Sequence, residues 1–552
     1  MTVAAGIDIG NSSTEVVIGR LTPDGIEVLC TGRTPTRRTK GSPQSLDGAA
    51  ALVHRLERTH QLRIDLAAAA HLRPVLTRTA TLPEPHAATG RLRVVSAGVS
   101  TAGGGGHGVG RPHRLGDVAE GNDPLVVVVA AGTGYLEAVE QLRGLASDGR
   151  LAAVVLEDDE AVLVGNRLGD QVPVVDEVDG DEVLRAGLVA VEVAAAGHPL
   201  RVLTDPLRLA DALQLHDHER ADAARVAARL YDSSNAVVAL GPAAAAAGTQ
   251  TAGWVDVGGS RLSFAAGHEA IRAGLVGAAR SYAVPPQQDP RPVDDLWTVD
   301  LSAVADTVMT RVGVAQSRAI GLAVLHADAP YADPGAALAE RLGVPVEVAG
   351  SEARAAWSGA TSTPGAGDAV VIDLGGGTVD TVSRSAAVVA AGGGELLTVS
   401  VAMLTGASNA AAEWVKRGPA HRVEAPQVLL AEDGSRAFLD VPAPAEAMGA
   451  LVVRGPAGLL AFHRTLAPGE WRALRLRLKV ELLGGNVARS LRSLDVAPGT
   501  VVVVGGPAGD DEVLAAVARA LPEGVAVGRG NVAGSLGHRY AVAYGLLCGL
   551  AR

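Results

Sequence analysis

Val370-Val371-Ile372-Asp373-Leu374-Gly375-Gly376-Gly377-Thr378-Val379-Asp380-Thr381-Val382 is the stretch on which the fold turns. An apolar strand ends in an Asp, a bare glycine turn follows, and a β-branched strand leaves it, which is a β-hairpin pattern. A turn without bulky side chains lets its backbone N–H groups approach a phosphate. The same order opens the chain, in Ala5-Gly6-Ile7-Asp8-Ile9-Gly10-Asn11-Ser12-Ser13-Thr14-Glu15-Val16-Val17-Ile18. One such loop could serve only to close a tight hairpin. Two, each carrying Asp-x-Gly, predict a nucleotide clamped between related halves. Donors from Gly10, Asn11, Ser12 and Ser13 and from Gly375, Gly376, Gly377 and Thr378 would then hold its terminal phosphates. Asp8 and Asp373 are the candidates to orient an attacking water and to steady a divalent ion through its water shell, with Asp380 in support.

The bulk numbers fit this reading. At 552 residues the chain is long enough for roughly three to four domains. Hydrophobic residues make up 48% and aromatics only 3%, with 68 Gly, so small residues must pack helix against sheet in an α/β protein. Few aromatic platforms and a net charge of −12 argue against nucleic acid and against an anionic membrane as partners. Cys30 and Cys548 are the only thiols and offer neither a disulfide framework nor zinc spacing. The default compartment is therefore a reducing, cytoplasmic one. No signal-peptide order precedes the first loop, and no uncharged apolar run reaches the roughly 18 residues of a membrane helix.

Outward from the loops, the chain reads as alternating strands and helices. Residues 125–131, 135–146 and 151–156 form a βαβ signature, and the stretch 241–248 looks like a junction. The predicted organisation is an ATPase domain in three parts, 1–87, 253–404 and 468–552, with an inserted domain at 88–252 and a linker or accessory element at 405–467. The Arg/Leu-rich stretch 468–494 reads as one long helix whose charges make a solvated face.

Three further segments make the pair of loops specific. A strand at 501–504 ends in Gly505-Gly506-Pro507, which suits close approach to a base and ribose. Glu352-Ala353-Arg354-Ala355-Ala356-Trp357-Ser358-Gly359 and Tyr540-Ala541-Val542-Ala543-Tyr544-Gly545 are small-residue helices able to cross closely. The five segments together resemble the two phosphate, two connecting and one adenosine motifs of the actin–Hsp70–sugar-kinase ATPase superfamily. This resemblance implies a duplicated, RNase H-like ATPase domain that binds ATP or ADP with Mg2+. Glu352, Gly505, Gly506 and Pro507 would be among its nucleotide-binding residues.

Residues 6–15, Pro173-Val174-Val175-Asp176-Glu177-Val178, Ala391-Gly392-Gly393-Gly394-Glu395-Leu396 and Gly528-Arg529-Gly530-Asn531-Val532-Ala533-Gly534-Ser535 are closer still. They resemble the large subunits of diol/glycerol dehydratase reactivating factors. The family implies a swivelling α/β insert, a small partner subunit in a hetero-tetramer, and a cobalamin-dependent dehydratase as target. Damaged cobalamin would be released from that dehydratase with ATP. It also implies an ion in the insert, held by Thr101, Asp159 and Asp176 where the small subunit contacts the large one. Two carboxylates and a hydroxyl suit Mg2+ or Ca2+, though the same acids read equally well as solvated strand ends.

Rival motifs are weaker. Gly103-x-Gly105-x-x-Gly108 lies in a glycine homopolymer, and Ala130-Ala131-Gly132-Thr133-Gly134 lacks the third glycine of a dinucleotide fingerprint, so it reads as a structural βαβ turn. A sugar or acid kinase of the same superfamily would need an acceptor pocket with a base, and none is identifiable. An actin-like scaffold is the other alternative.

Overall fold

The computed structural model of the chain describes residues 2–82, 91–98, 103–118, 121–169, 171–194, 200–230, 233–241, 253–284, 287–308, 318–329 and 332–551. They divide into two compact units, one built from 2–82, 253–308 and 318–551, the other from 91–241. The expected insert boundaries, and the junction at 241–248 apart from Gly241, lie outside the described residues.

In the first unit, strands β1 (Thr2–Ile9) and β2 (Ser13–Thr22) pair antiparallel with Asp8 opposite Glu15. The Gly10 amide closes the turn by donating to the Ser13 carbonyl at 2.9 Å. Strand β3 (Gly25–Pro35) extends the meander, and helix α1 (Pro43–His60) follows. Ser42 caps that helix through its side chain, and a proline stands in the first turn, where its missing N–H costs nothing. Strand β4 (Leu66–Ala70) then runs parallel to β1, and β5 (Val346–Ala349) parallel to β4.

The second loop builds the same sheet again. Strands β6 (Val370–Leu374), β7 (Thr378–Val382) and β8 (Ala387–Ala391) form a meander. Strand β9 (Thr500–Val504) lies parallel to β6, and β10 (Ala526–Arg529) parallel to β9. The orders are β3-β2-β1-β4-β5 and β8-β7-β6-β9-β10, with matching strand senses. This is the duplicated α/β domain expected from the paired hairpins.

The helices that bear on the site are α2 (Glu352–Ala360), α3 (Gly394–Thr405), α4 (Pro468–Lys479), α5 (Gly485–Leu494), α6 (Asp511–Ala520) and α7 (Ala541–Leu550). The small residues of α2 and α7 do what their composition predicts. A Cβ on Gly359 would collide with the Ala541 carbonyl, and one on Gly545 with the Ala355 carbonyl. Backbone therefore meets backbone at the crossing. Gly6 of β1 likewise lies against the Ala543 carbonyl.

One expectation needs correction. The 468–494 stretch is helical throughout, α4 and α5 being joined by a π-helical turn at Val480–Gly484, but only some of its charges, such as Arg472, Arg477 and Arg492, face solvent. Arg475, Lys479, Glu481 and Arg489 are buried. Each has an opposite charge brought by distant chain: Arg475 meets Glu432 and Glu512, Lys479 meets Asp510 and Glu512, Glu481 meets Arg272, and Arg489 meets Asp295. Charges that local sequence would leave in water are stable inside only because these partners arrive. The 405–467 segment, expected as a linker or accessory element, has structure of its own. It carries a five-stranded antiparallel sheet spanning 421–463, with its own core of Val423, Leu429, Ala447 and Val452.

The second unit holds a seven-stranded sheet in which Leu125–Val129 and Leu151–Leu156 run parallel, joined by the helix Tyr135–Ser147. The Ala131 and Gly132 amides of the intervening turn donate to Glu157 Oε2 (2.9 Å) and Asp158 Oδ2 (2.6 Å). These two amides thus bind the chain's own carboxylates and hold the βαβ turn closed.

Candidate functional site

The two glycine turns lie against one another. A Cβ on Gly376 would run into the Ser12 hydroxyl, and one on Gly377 would fall 2.9 Å from Asn11 Cγ. The glycines of the second loop are thus required by its contact with the first. The third element is the turn after β9. Gly505 holds φ +89°, and a Cβ there would strike Asp373 Oδ1. Pro507 lies against Gly394, whose amide donates to the Gly375 carbonyl at 2.9 Å. Hence Asn11, Ser12, Asp373, Gly375, Gly376, Gly377, Gly505 and Pro507, distant in sequence, form one contiguous cluster. Gly506 adjoins the Arg539 guanidinium.

Carboxylates dominate the floor. Asp8 and Asp373 keep a little accessible surface, while Asp380 is buried, directly opposite Asp373 in the β6–β7 ladder. Burial pushes the Asp8 carboxyl well up, with Glu352 and Glu15 adding repulsion. Asp373 is pushed up to about 7, first by burial and then by Glu352 and Glu15. Burial, Glu352 and Asp373 do the same to Asp380. Glu352 opens α2 behind the Ser351 cap, and its Oε2 accepts from Lys40 Nζ at 2.7 Å. That ammonium also faces Asp8 and Asp380, and their attraction outweighs its own burial and holds it charged. Lys40, Glu352, Thr378 and Asp380 line a cavity of about 300 Å³ together with His71 and Arg73.

This donor set fits a nucleotide with a divalent ion. Asp380 Oδ1 is buried without a hydrogen-bond partner, several acids raise one another's proton affinity, and close-packed glycines flank them. Among the described residues no three carboxylate, imidazole or thiol groups stand together to hold an ion directly. Mg2+ does not demand that, since it keeps several waters and takes one or two carboxylates plus phosphates.

Lys40 and Glu395 are site residues that the motif search missed. A lone lysine in a polar turn gives no local signal, but Lys40 is one of only three lysines among 48 basic residues. Glu395 lay in a quoted motif without a role. Its Oε1 accepts from Ser12 Oγ at 2.8 Å, its Oε2 from Asn11 Nδ2 at 3.3 Å, and its amide donates to the Gly376 carbonyl at 2.8 Å. The remaining side chain of the first loop, Ser13, donates to Glu15 at 2.7 Å.

In the second unit, Asp176 Oδ2 accepts from the Ala161 amide at 3.0 Å. Burial and then, after the opposing pull of that amide, the nearby Asp159 push its carboxyl upward. Asp159 is exposed, two residues before that amide. Thr101, the third residue of the expected ion site, lies outside the described residues. Among the described residues no helix is long and apolar enough to cross a membrane.

Comparison with known proteins agrees with this architecture. The diol dehydratase reactivase ATPase-like domain matches residues 275–550, and the DD-reactivating factor swiveling domain matches 94–245. The propanediol dehydratase-reactivating factor large subunit of Salmonella typhimurium is 29% identical over 600 aligned positions, covering 99% of this chain and 98% of the other. The diol dehydratase-reactivating factor large subunit of Klebsiella michiganensis is also 29% identical, with the same coverage. Among solved structures, diol dehydratase-reactivating factor in nucleotide-free form superposes with a TM-score of 0.67 at 26% identity, covering all of both chains. Glycerol dehydratase reactivase gives 0.67 at 25%, again over all of both chains. With the family's ATPase-like domain and its swiveling domain both present, in a chain that aligns end to end with its large subunits, this protein belongs to the diol dehydratase reactivase family.

Proposed function

We propose that this chain is the ATP-hydrolysing large subunit of a factor that reactivates a cobalamin-dependent diol or glycerol dehydratase. The likeness to reactivating-factor large subunits over the whole chain carries this reading, and favours it over a sugar kinase or a filament-forming scaffold. The facing loops supply the physical basis. Backbone and side-chain donors of 10–13 and 375–378 hold the phosphates, and the turn 505–507 holds the adenosine end. Asp8 and Asp373 orient the attacking water, with Asp380 beneath them. Bound Mg2+ would offset phosphate charge and is held through water by the same acids.

The ADP-bound factor grips the inactivated dehydratase and lets its damaged cobalamin go. A small subunit, in a cytoplasmic hetero-tetramer with this chain, exchanges places with a dehydratase subunit. ATP then frees the apoenzyme for intact adenosylcobalamin, through a hinge transition biased by γ-phosphate contacts. Residues 88–252 would be the swivelling part, with an ion at Thr101, Asp159 and Asp176 facing the small subunit. The test is rescue of glycerol-inactivated dehydratase by this chain plus its small subunit, ATP, Mg2+ and fresh coenzyme. Asp8→Asn and Asp373→Asn should abolish rescue while the fold survives. Undiminished rescue by both removes them from the mechanism, and no rescue by the unaltered protein on any diol or glycerol dehydratase removes the function.

A further inference from the structure

Two side chains of the first phosphate loop are already engaged by an anion that belongs to the protein. Ser12 Oγ and Asn11 Nδ2 both donate to the Glu395 carboxylate, at 2.8 and 3.3 Å. Glu395 stands at the start of α3, and its own amide is tied to the Gly376 carbonyl of the second loop at 2.8 Å. A single residue therefore joins the two loops, presenting negative charge to one and a backbone donor to the other. Lys416 attracts it electrostatically but makes no ion pair with it. That ammonium donates to the Gly394 carbonyl, to Thr398 and to Glu413. The other acids of the floor, Asp8, Glu15, Asp373 and Asp380, repel a polyphosphate as well, but none of them accepts from Ser12 or Asn11.

Resting on the nucleotide reading of this site, we propose that Glu395 is a specificity-determining residue that competes with the nucleotide's terminal phosphate for Ser12 and Asn11. A carboxylate and a phosphate oxygen ask the same of these donors, and both form charge-assisted hydrogen bonds. A polyphosphate entering between the loops must take the donors from Glu395 and tolerate its charge nearby. The longer and more charged the tail, the greater the conflict, so Glu395 disfavours ATP relative to ADP. It also transmits the outcome, because a carboxylate evicted from Ser12 remains anchored through its amide to Gly376 and α3.

Calorimetric titration of the full chain with ATP and with ADP, each with Mg2+ and with EDTA, tests this. Glu395→Gln keeps the size of the side chain and removes its charge. It should tighten ATP by roughly 10-fold, the scale of a hydrogen bond to a charged group, and ADP by clearly less. Ser12→Ala removes the contested donor, so in that background the gain from Glu395→Gln should shrink. Unchanged or weaker ATP binding by Glu395→Gln would overturn the proposal. So would an equal gain for both nucleotides, or an equal gain with and without Ser12. Weakening seen only with Mg2+ would instead make Glu395 a support for the ion. If the unaltered chain takes up neither nucleotide, the nucleotide reading itself falls. If it binds both and the variants change nothing, this inference alone falls.

Discussion

Lys40 Nζ donates to Glu352 Oε2 at 2.7 Å, joining the turn before α1 to the first residue of α2 across 312 positions of sequence. The ammonium sits among Asp8, Glu352 and Asp380, whose attraction keeps it charged despite burial. Replacing it with the apolar Lys40→Met leaves those acids facing one another. The expected cost is about 1.5–3 kcal/mol, the worth of a hydrogen bond between charged groups, read as a fall in the urea midpoint at pH 7. Lys40→Arg should recover only part of it, because a planar fork replaces a compact ammonium.

Asp373 carries a pH signature. Its carboxyl is pushed from the ordinary 3.8 up to about 7 in the folded chain, so between those values the folded state binds the extra proton. Its contribution to stability is full below pH 3.8 and is lost as pH rises through 7. Asp373→Asn should therefore be more stable than the unaltered chain at pH 8 without nucleotide, the advantage vanishing near pH 4. Thermal melts across that range check the sign. A gain in stability with a loss of Mg2+–ATP uptake would mark the acid as one held against its own preference for the ligand's sake.

The crossing of α2 and α7 leaves no room for a methyl group. Gly545→Ala drives a Cβ into the Ala355 carbonyl and Gly359→Ala into that of Ala541. Backbone cannot yield as a flexible side chain can, so each should cost at least the 1–3 kcal/mol typical of overpacking, to order of magnitude. Equilibrium unfolding of either variant measures it, and the pair should be non-additive because they share one contact.

Arg489 holds the buried Asp295 from two nitrogens, at 2.8 and 3.0 Å. Asp295 in turn accepts from the Gly277 and Ala391 amides, tying β8 to the strand Gln287–Asp300. Arg489→Ala strands a buried carboxylate, and breaking such a pair costs roughly 3–5 kcal/mol. The double variant Arg489→Met with Asp295→Asn should recover much of that loss in denaturant midpoint, since no lone charge then remains inside.

The sequence was legible wherever the physics is local. Asp-x-Gly turns between β-branched runs locate both hairpins, and Gly359 and Gly545 in small-residue helices announce a close crossing. It was opaque where a residue's environment is made by distant chain. Arg475 and Lys479 looked solvated because only their charge was read. Yet they follow Trp471 at helical spacing, and with Leu474 and Leu478 that whole stripe is buried. Only the arrival of Glu432, Asp510 and Glu512 makes this tolerable. Glu395 was opaque for the same reason, its donors lying 383 and 384 positions away.

Peptide planes meet at Gly359 and Gly545, while Ala355, Ala356, Val542 and Leu546 share one apolar cluster with Ala68 and Ala70 beside them. The spacing of the two helices is therefore fixed by main chain, which no change of side-chain rotamer can adjust.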